Sequence, residues 1–173
     1  MTQYALLLRG IGPVTHARMP LGALAGRLTE EGPSGVRSLG NTGNFVLESP
    51  LTPAELRQLG RDAVASFGLE LEVFVRTRRQ VQMLVTALPF AEAAAARPDA
   101  VTVCFFHTTP RWPATYLHFA GPERLAIFSN HLFVDYDGRV SGSTLPIEKV
   151  VGKPMTQRNW NTVIRLAQAL GAA

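Results

Sequence analysis

Hydrophobic positions along the chain switch between a period of about two and a period of about 3.6, and the switches predict strands and helices in a regular order. Residues 4–8 are short, apolar and nearly continuous, as in a central strand. Arg9-Gly10-Ile11-Gly12-Pro13 breaks that run. After Pro20, the residues Leu21, Leu24, Ala25 and Leu28 recur at helical spacing until Gly32-Pro33 stops them. Residues 36–39 and 45–47 read as strands joined by Gly40-Asn41-Thr42-Gly43-Asn44, because Asn and Gly tolerate positive φ. Thr52-Pro53-Ala54-Glu55 forms a capping box with proline at the first helical position. The helix it opens turns Leu56, Leu59, Ala63 and Phe67 inward and ends at Gly68. A strand over 71–75 completes a β-α-β-β-α-β order, the ferredoxin-like split motif.

Thr77-Arg78-Arg79-Gln80 is a second capping box, and its helix lines up Val81, Leu84, Val85 and Leu88 before Pro89. The alanine-rich stretch 91–99 reads as a loop or a short helix. Four strands follow, over 101–107, 115–119, 125–128 and 132–136, with a turn at Asp137-Gly138. Ser143 or Thr144 is placed to cap a short helix through Ile147 and Val150 that Gly152 closes. Gln157-Arg158-Asn159-Trp160-Asn161-Thr162 is expected to open the final helix. Its apolar stripe is Trp160, Val163, Ile164, Ala167 and Leu170, with Arg158, Thr162 and Arg165 on another face. The expected core includes Leu6, Leu24, Phe45, Leu56, Phe67, Val73, Trp160 and Ile164.

The chain has 173 residues, which suits one domain or two small subdomains. The expected division is 1–76 and 77–173, both α+β and ferredoxin-like with antiparallel sheets. No apolar run reaches the roughly 18 residues of a membrane span, and the N-terminus lacks the features of a signal peptide. The expected compartment is the cytoplasm. The single cysteine, Cys104, sits in an apolar strand-like run, which favours core packing over nucleophilic use. Net charge is +4, nearly all from arginine, since Lys149 and Lys153 are the only lysines. Arginine suits bidentate contact to phosphate or carboxylate. The charge is spread along the chain, so any nucleic-acid binding is expected to be weak and electrostatic.

Patterns for familiar catalysis are missing. Gly10-Ile11-Gly12 is too short for a dinucleotide loop, and no phosphate-loop lysine motif occurs. His16, His107, His118 and His131 have no metal-ligand spacing, so neither a metal nor a cofactor is expected. Ser141 and Ser143 have no legible His-Asp partners. The aromatics Phe45, Tyr116, Phe119, Phe128 and Phe133 lack the order of an RNA-stacking sheet and read as core. Four segments could still form a ligand site: 9–12, 41–44, 141–144 and 158–162. Glycines there admit a ligand to the backbone, and helix starts favour anions. Turn chemistry, capping or a structural network would explain the same residues without a ligand.

Several of these segments together resemble a bacterial family known as domain of unknown function 1697. The resemblance rests on Leu8-Arg9-Gly10-Ile11 with Met19-Pro20, on Thr42-Gly43-Asn44, on Arg76-Thr77 with Leu88-Pro89-Phe90, and most specifically on Arg158-Asn159-Trp160-Asn161-Thr162. It departs at Gly12, at Val14-Thr15-His16 and at Thr144, where the family usually carries a lysine. The resemblance implies two packed ferredoxin-like subdomains and no established activity.

The expected function is non-catalytic binding of an anionic ligand (a nucleotide, phosphate or nucleic acid) in a cleft between the subdomains. The expected ligand-binding residues are Arg9, Gly10, Asn41, Gly43, Asn44, Ser143, Arg158, Asn159 and Asn161. Two alternatives stay open: an enzyme of unknown reaction in the same cleft, for which His16 is the nearest titratable candidate, and a structural or partner-binding protein with no ligand. Catalytic residues and oligomeric state are not legible.

Overall fold

The computed structural model of the protein describes residues 1–112 and 121–171. The strand expected over 115–119, with Tyr116, His118 and Phe119, lies outside the described residues. The chain divides into two compact units, one holding Met1–Met83 and the C-terminal turns from Arg165, the other holding Leu84–Ile164. Both are α+β, and each is built on a four-stranded antiparallel sheet.

In the first unit the strands are β1 (Thr2–Leu8), β2 (Ser34–Ser38), β3 (Asn44–Ser49) and β4 (Val73–Thr77), in the order β2-β3-β1-β4. The helices are α1 (Pro13–Arg18), α2 (Leu21–Glu30) and α3 (Pro53–Ala65). Strand alternation sends Leu6, Leu8, Phe45, Leu47, Val73 and Val75 to one face, where Leu24 and Leu28 of α2 and Leu56 and Ala63 of α3 complete a core. The opposite face holds Ala5, Leu7, Val46, Phe74 and Arg76, all buried as well. A strand buried on both faces needs no polar alternation, which is why residues 4–8 are nearly continuously apolar. The first capping box forms as written in the sequence: Thr52 N donates to Glu55 Oε2 at 2.8 Å, and Glu55 N donates to Thr52 Oγ1 at 3.3 Å. The bond from Thr52 N, with one from Thr52 Oγ1 at 2.7 Å, holds the Glu55 carboxyl below its ordinary pKa.

Next come α4 (Arg78–Ala87) and α5 (Ala91–Ala96); the boundary between the units falls inside α4. The second box also forms, with Thr77 N donating to Gln80 Oε1 at 2.9 Å and Gln80 N to Thr77 Oγ1 at 3.2 Å. The second sheet is made of β5 (Val101–Phe105), β6 (Arg124–Phe128), β7 (His131–Asp135) and β8 (Thr156–Asn159), in the order β6-β7-β5-β8. Numbered within their own units, both sheets run second-third-first-fourth, the ferredoxin-like order. Cys104, Phe106, Leu132, Val134 and Tyr136 pack with Ile147 of α6 (Ile147–Val151). The last helix, α7 (Trp160–Gly171), contains the other boundary between the units.

Several sequence expectations are corrected. Residues 157–159 do not open the last helix. They belong to β8, which pairs with β5 through Arg158↔Val103 and Gln157↔Cys104. Ladder pairing with β5 outweighs the local helical pattern, and the helix starts at Trp160. Ser143 and Thr144 do not cap α6, whose N-cap is Pro146 with no side-chain hydrogen bond. Phe67 and Ile164 are half-buried, whereas Leu6, Leu24, Phe45, Leu56, Val73 and Trp160 are buried. The six-residue α1 was not expected, because Pro13 and the glycines before it read as a break. Among the described residues no helix is long and apolar enough to cross a membrane.

Candidate functional site

Five of the expected ligand residues gather at one end of the first sheet. The β2–β3 hairpin folds down on the exit of β1, where Leu8 N donates to Gly43 O at 2.8 Å and Arg9 N donates to Glu72 O at 3.0 Å. Gly10 and Gly43 both have positive φ, +85° and +76°. Gly43 also has no room for a side chain: a Cβ there would lie 2.6 Å from Ile11 Cγ1 and 2.9 Å from Leu8 Cβ. Asn44 is buried, and its Nδ2 donates to Thr42 Oγ1 at 2.9 Å and to Leu39 O at 3.4 Å, inside the turn. Asn41 is exposed, and its carbonyl lies 2.8 Å from His16 Nε2, which donates when that nitrogen carries the proton. Thr15 Oγ1 donates to Gly10 O at 2.8 Å and accepts from Gly12 N at 3.0 Å, tying α1 to the same loop. Arg9 is half-buried at this end.

Arg158, Asn159 and Asn161 gather at the junction of β8 and α7 in the second unit. Asn159 Oδ1 accepts from Thr162 N at 3.0 Å, the bond of a helix N-cap, which satisfies one of the free N–H groups of the first turn. Both amide nitrogens reach Asp99 Oδ1, Asn159 Nδ2 at 3.2 Å and Asn161 Nδ2 at 2.8 Å. Trp160 N donates to Pro98 O at 3.2 Å, and the indole is buried with its ring 6.2 Å from that of Phe133. The junction is therefore bolted to the turn at residues 98–99. Ser143 shares none of these partners: its hydroxyl donates to Glu123 and accepts from Leu145 N at 3.1 Å.

Arg158 itself is buried and lies on the face opposite the Cys104 cluster. Its Nη1 donates to Thr156 Oγ1 at 2.7 Å and to Gln157 O at 2.9 Å. Burial pushes its pKa down to about 10, so the guanidinium stays charged at neutral pH.

The first unit contains a counterpart that sequence reasoning did not place among the site residues. Arg76 lies mid-strand on β4, opposite Ala5 of β1, as Arg158 lies on β8 opposite Val103 of β5. It too is buried, its Nη1 donates to the preceding carbonyl of Val75 at 2.9 Å, and burial pushes its pKa down to about 10. A helix starts two residues after each arginine. The available signal was an arginine at the inward phase of the apolar run Val73-Phe74-Val75-Arg76. The other buried acidic or basic side chain among the described residues, histidine aside, is Asp135. Burial raises its pKa, but hydrogen bonds from Arg124, Asp137 N and Arg97 outweigh burial and hold the carboxyl below its ordinary value.

Nothing resembling a metal centre is present: among the described residues no three His, Cys, Asp or Glu side chains could hold an ion. Burial, then the nearby Glu148 carboxylate, pushes the Cys104 thiol far up, and burial raises Tyr136 despite a hydrogen bond from Gln157. None of these shifts brings its group to neutral pH, where a general acid or base works best.

No curated protein matches the sequence. A solved structure of the conserved bacterial protein SP0830 from Streptococcus pneumoniae is similar, with a TM-score of 0.69 and 20% sequence identity, covering 98% of each chain. At that identity the likeness concerns the fold alone. Residues 1–132 match the family described as "Protein of unknown function (DUF1697)", a span that holds the whole first sheet, two strands of the second and the start of β7. The chain belongs to that family of proteins of unknown function, DUF1697.

Proposed function

We propose that the protein binds an anionic ligand carrying a phosphate group and catalyses no reaction on it, with Arg158 supplying positive charge from β8. The observation that carries this reading is the burial of the Arg158 guanidinium in charged form. Removing a cation from water is costly, and the same loss of water strengthens its attraction for an anion. Asn159 and Asn161 fix the backbone on which Arg158 stands, through Asp99 and the N–H of Thr162.

A structural role for Arg158 has its own support, since Nη1 already bonds Thr156 and Gln157. Arg158→Ala separates the two, measured by calorimetric titration with ATP and inorganic phosphate alongside urea melts. A ligand role predicts at least a tenfold loss of affinity with little change in stability. Lost stability with unchanged affinity, or no binding of either probe by the unmodified protein, overturns the proposal. Any nucleic-acid affinity is expected to fall steeply with added salt, because phosphate contacts release counterions.

A further inference from the structure

The first unit has an open groove, with charged side chains along its walls, that uses none of the residues assigned above. It has a volume of about 630 Å³ and lies where β1 begins, β3 ends and β4 passes into α4. Its walls include Gln3, Glu48, Thr77, Arg78, Arg79 and Gln82. β1 runs between β3 and β4, so Gln3 sits in the middle with Glu48 on one side and the arginines on the other. The Gln3 amide links the two sides: Nε2 donates to Glu48 Oε1 at 3.2 Å, and Oε1 accepts from Arg78 Nη1 at 3.2 Å.

From this row of charges we propose a binding site for a nucleoside monophosphate whose base carries an amino group. Arg78 meets only the neutral Gln3, Arg79 has no bonded partner among the described residues, and the first turn of α4 contains no acid to neutralise them. Two adjacent guanidiniums suit the tetrahedral dianion of a phosphate monoester, which accepts several charge-assisted hydrogen bonds at once. The attraction comes from these side chains and not from the helix terminus, whose first turn Thr77 and Gln80 already close. Across the row, Glu48 bonds only Gln3, and its second oxygen is left to accept from a ligand. Glu48 Oε1 and Arg78 Nη1 each lie 3.2 Å from the same Gln3 amide, so less than about 9 Å separates the carboxylate from the guanidinium. That span fits a phosphate at one end and an exocyclic amino group at the other, and the groove volume falls in the range of small-molecule sites.

The test is titration of the full chain with AMP, IMP and adenosine. AMP has both the phosphate and the amino group, IMP lacks the amino group, and adenosine lacks the phosphate. The expected result is that AMP binds and that the other two bind at least tenfold more weakly. Arg78→Ala and Arg79→Ala each weaken AMP at least tenfold, Glu48→Gln removes the preference over IMP, and exposed Arg61→Ala changes nothing. Equal binding of AMP and adenosine, or AMP affinity untouched by Arg79→Ala, overturns the site. Loss of AMP binding in Arg158→Ala alone also overturns it, while supporting the function proposed for Arg158. Retention of the AMP preference in Arg158→Ala supports the groove however that first proposal fares.

Discussion

Replacing Gly43 by alanine isolates how tightly the β2–β3 hairpin is clamped on β1. Two penalties combine at this position. The backbone φ of +76° is unfavourable for any residue with a Cβ, by roughly 1–2 kcal/mol. The new methyl would also lie 2.9 Å from Leu8 Cβ and 2.6 Å from Ile11 Cγ1. Leu8 Cβ is held by a buried strand and cannot swing aside, so the backbone must shift, at an overpacking cost of about 1–3 kcal/mol. Gly40, in the same hairpin, is the internal control: its φ is +71°, but no atom lies within 4 Å of an added Cβ. Gly40→Ala should therefore show the backbone penalty alone, and Gly43→Ala about 1–3 kcal/mol more. In a chain of this size each kcal/mol moves the melting midpoint by about 2–4 °C. Urea melts of both variants, checked for unchanged denaturant slope, measure the difference. Equal destabilisation by the two substitutions would refute the clamp, and with it the account of why the hairpin carries glycine at position 43.

Trp160→Ala should cost about 3–5 kcal/mol in the same melts, the usual range for emptying such a site, because the indole is buried against Phe133. Native Cys104 should resist thiol-reactive dyes until the protein is denatured, since the buried thiol is held protonated; rapid labelling of the folded protein would contradict this. The Asp135 carboxyl has a folded pKa below the ordinary 3.8, so its contribution to stability is present above that value and is lost as pH falls through the folded pKa. Acid melts should show this loss below about pH 4, and Asp135→Asn should flatten it.

Much of the architecture was legible in the chain because it is encoded within a few residues. The box at Thr52–Glu55 needs only neighbours three positions apart, and it forms where the sequence writes it. The apolar run 4–8 announces a strand buried on both faces without reference to what covers it. The hairpin glycines likewise report local backbone conformation. Residues 157–159 were misread because their state depends on a partner more than fifty positions away. β5 supplies the ladder that makes them a strand, and nothing in the segment records its approach. The roles of the polar side chains were hidden for the same reason. Asn159 and Asn161 looked like free donors until Asp99 was brought beneath both. Arg76 shows the complementary case: its identity was in plain view, but its burial, and its match to Arg158 on the equivalent strand, emerge only when two sheets of the same order are folded. Sequence by itself determined where the chain bends, caps and alternates, since those are short-range preferences. Tertiary structure decided which polar groups hold the fold together, because a hydrogen bond between distant residues exists only after the strands have set its two ends within reach.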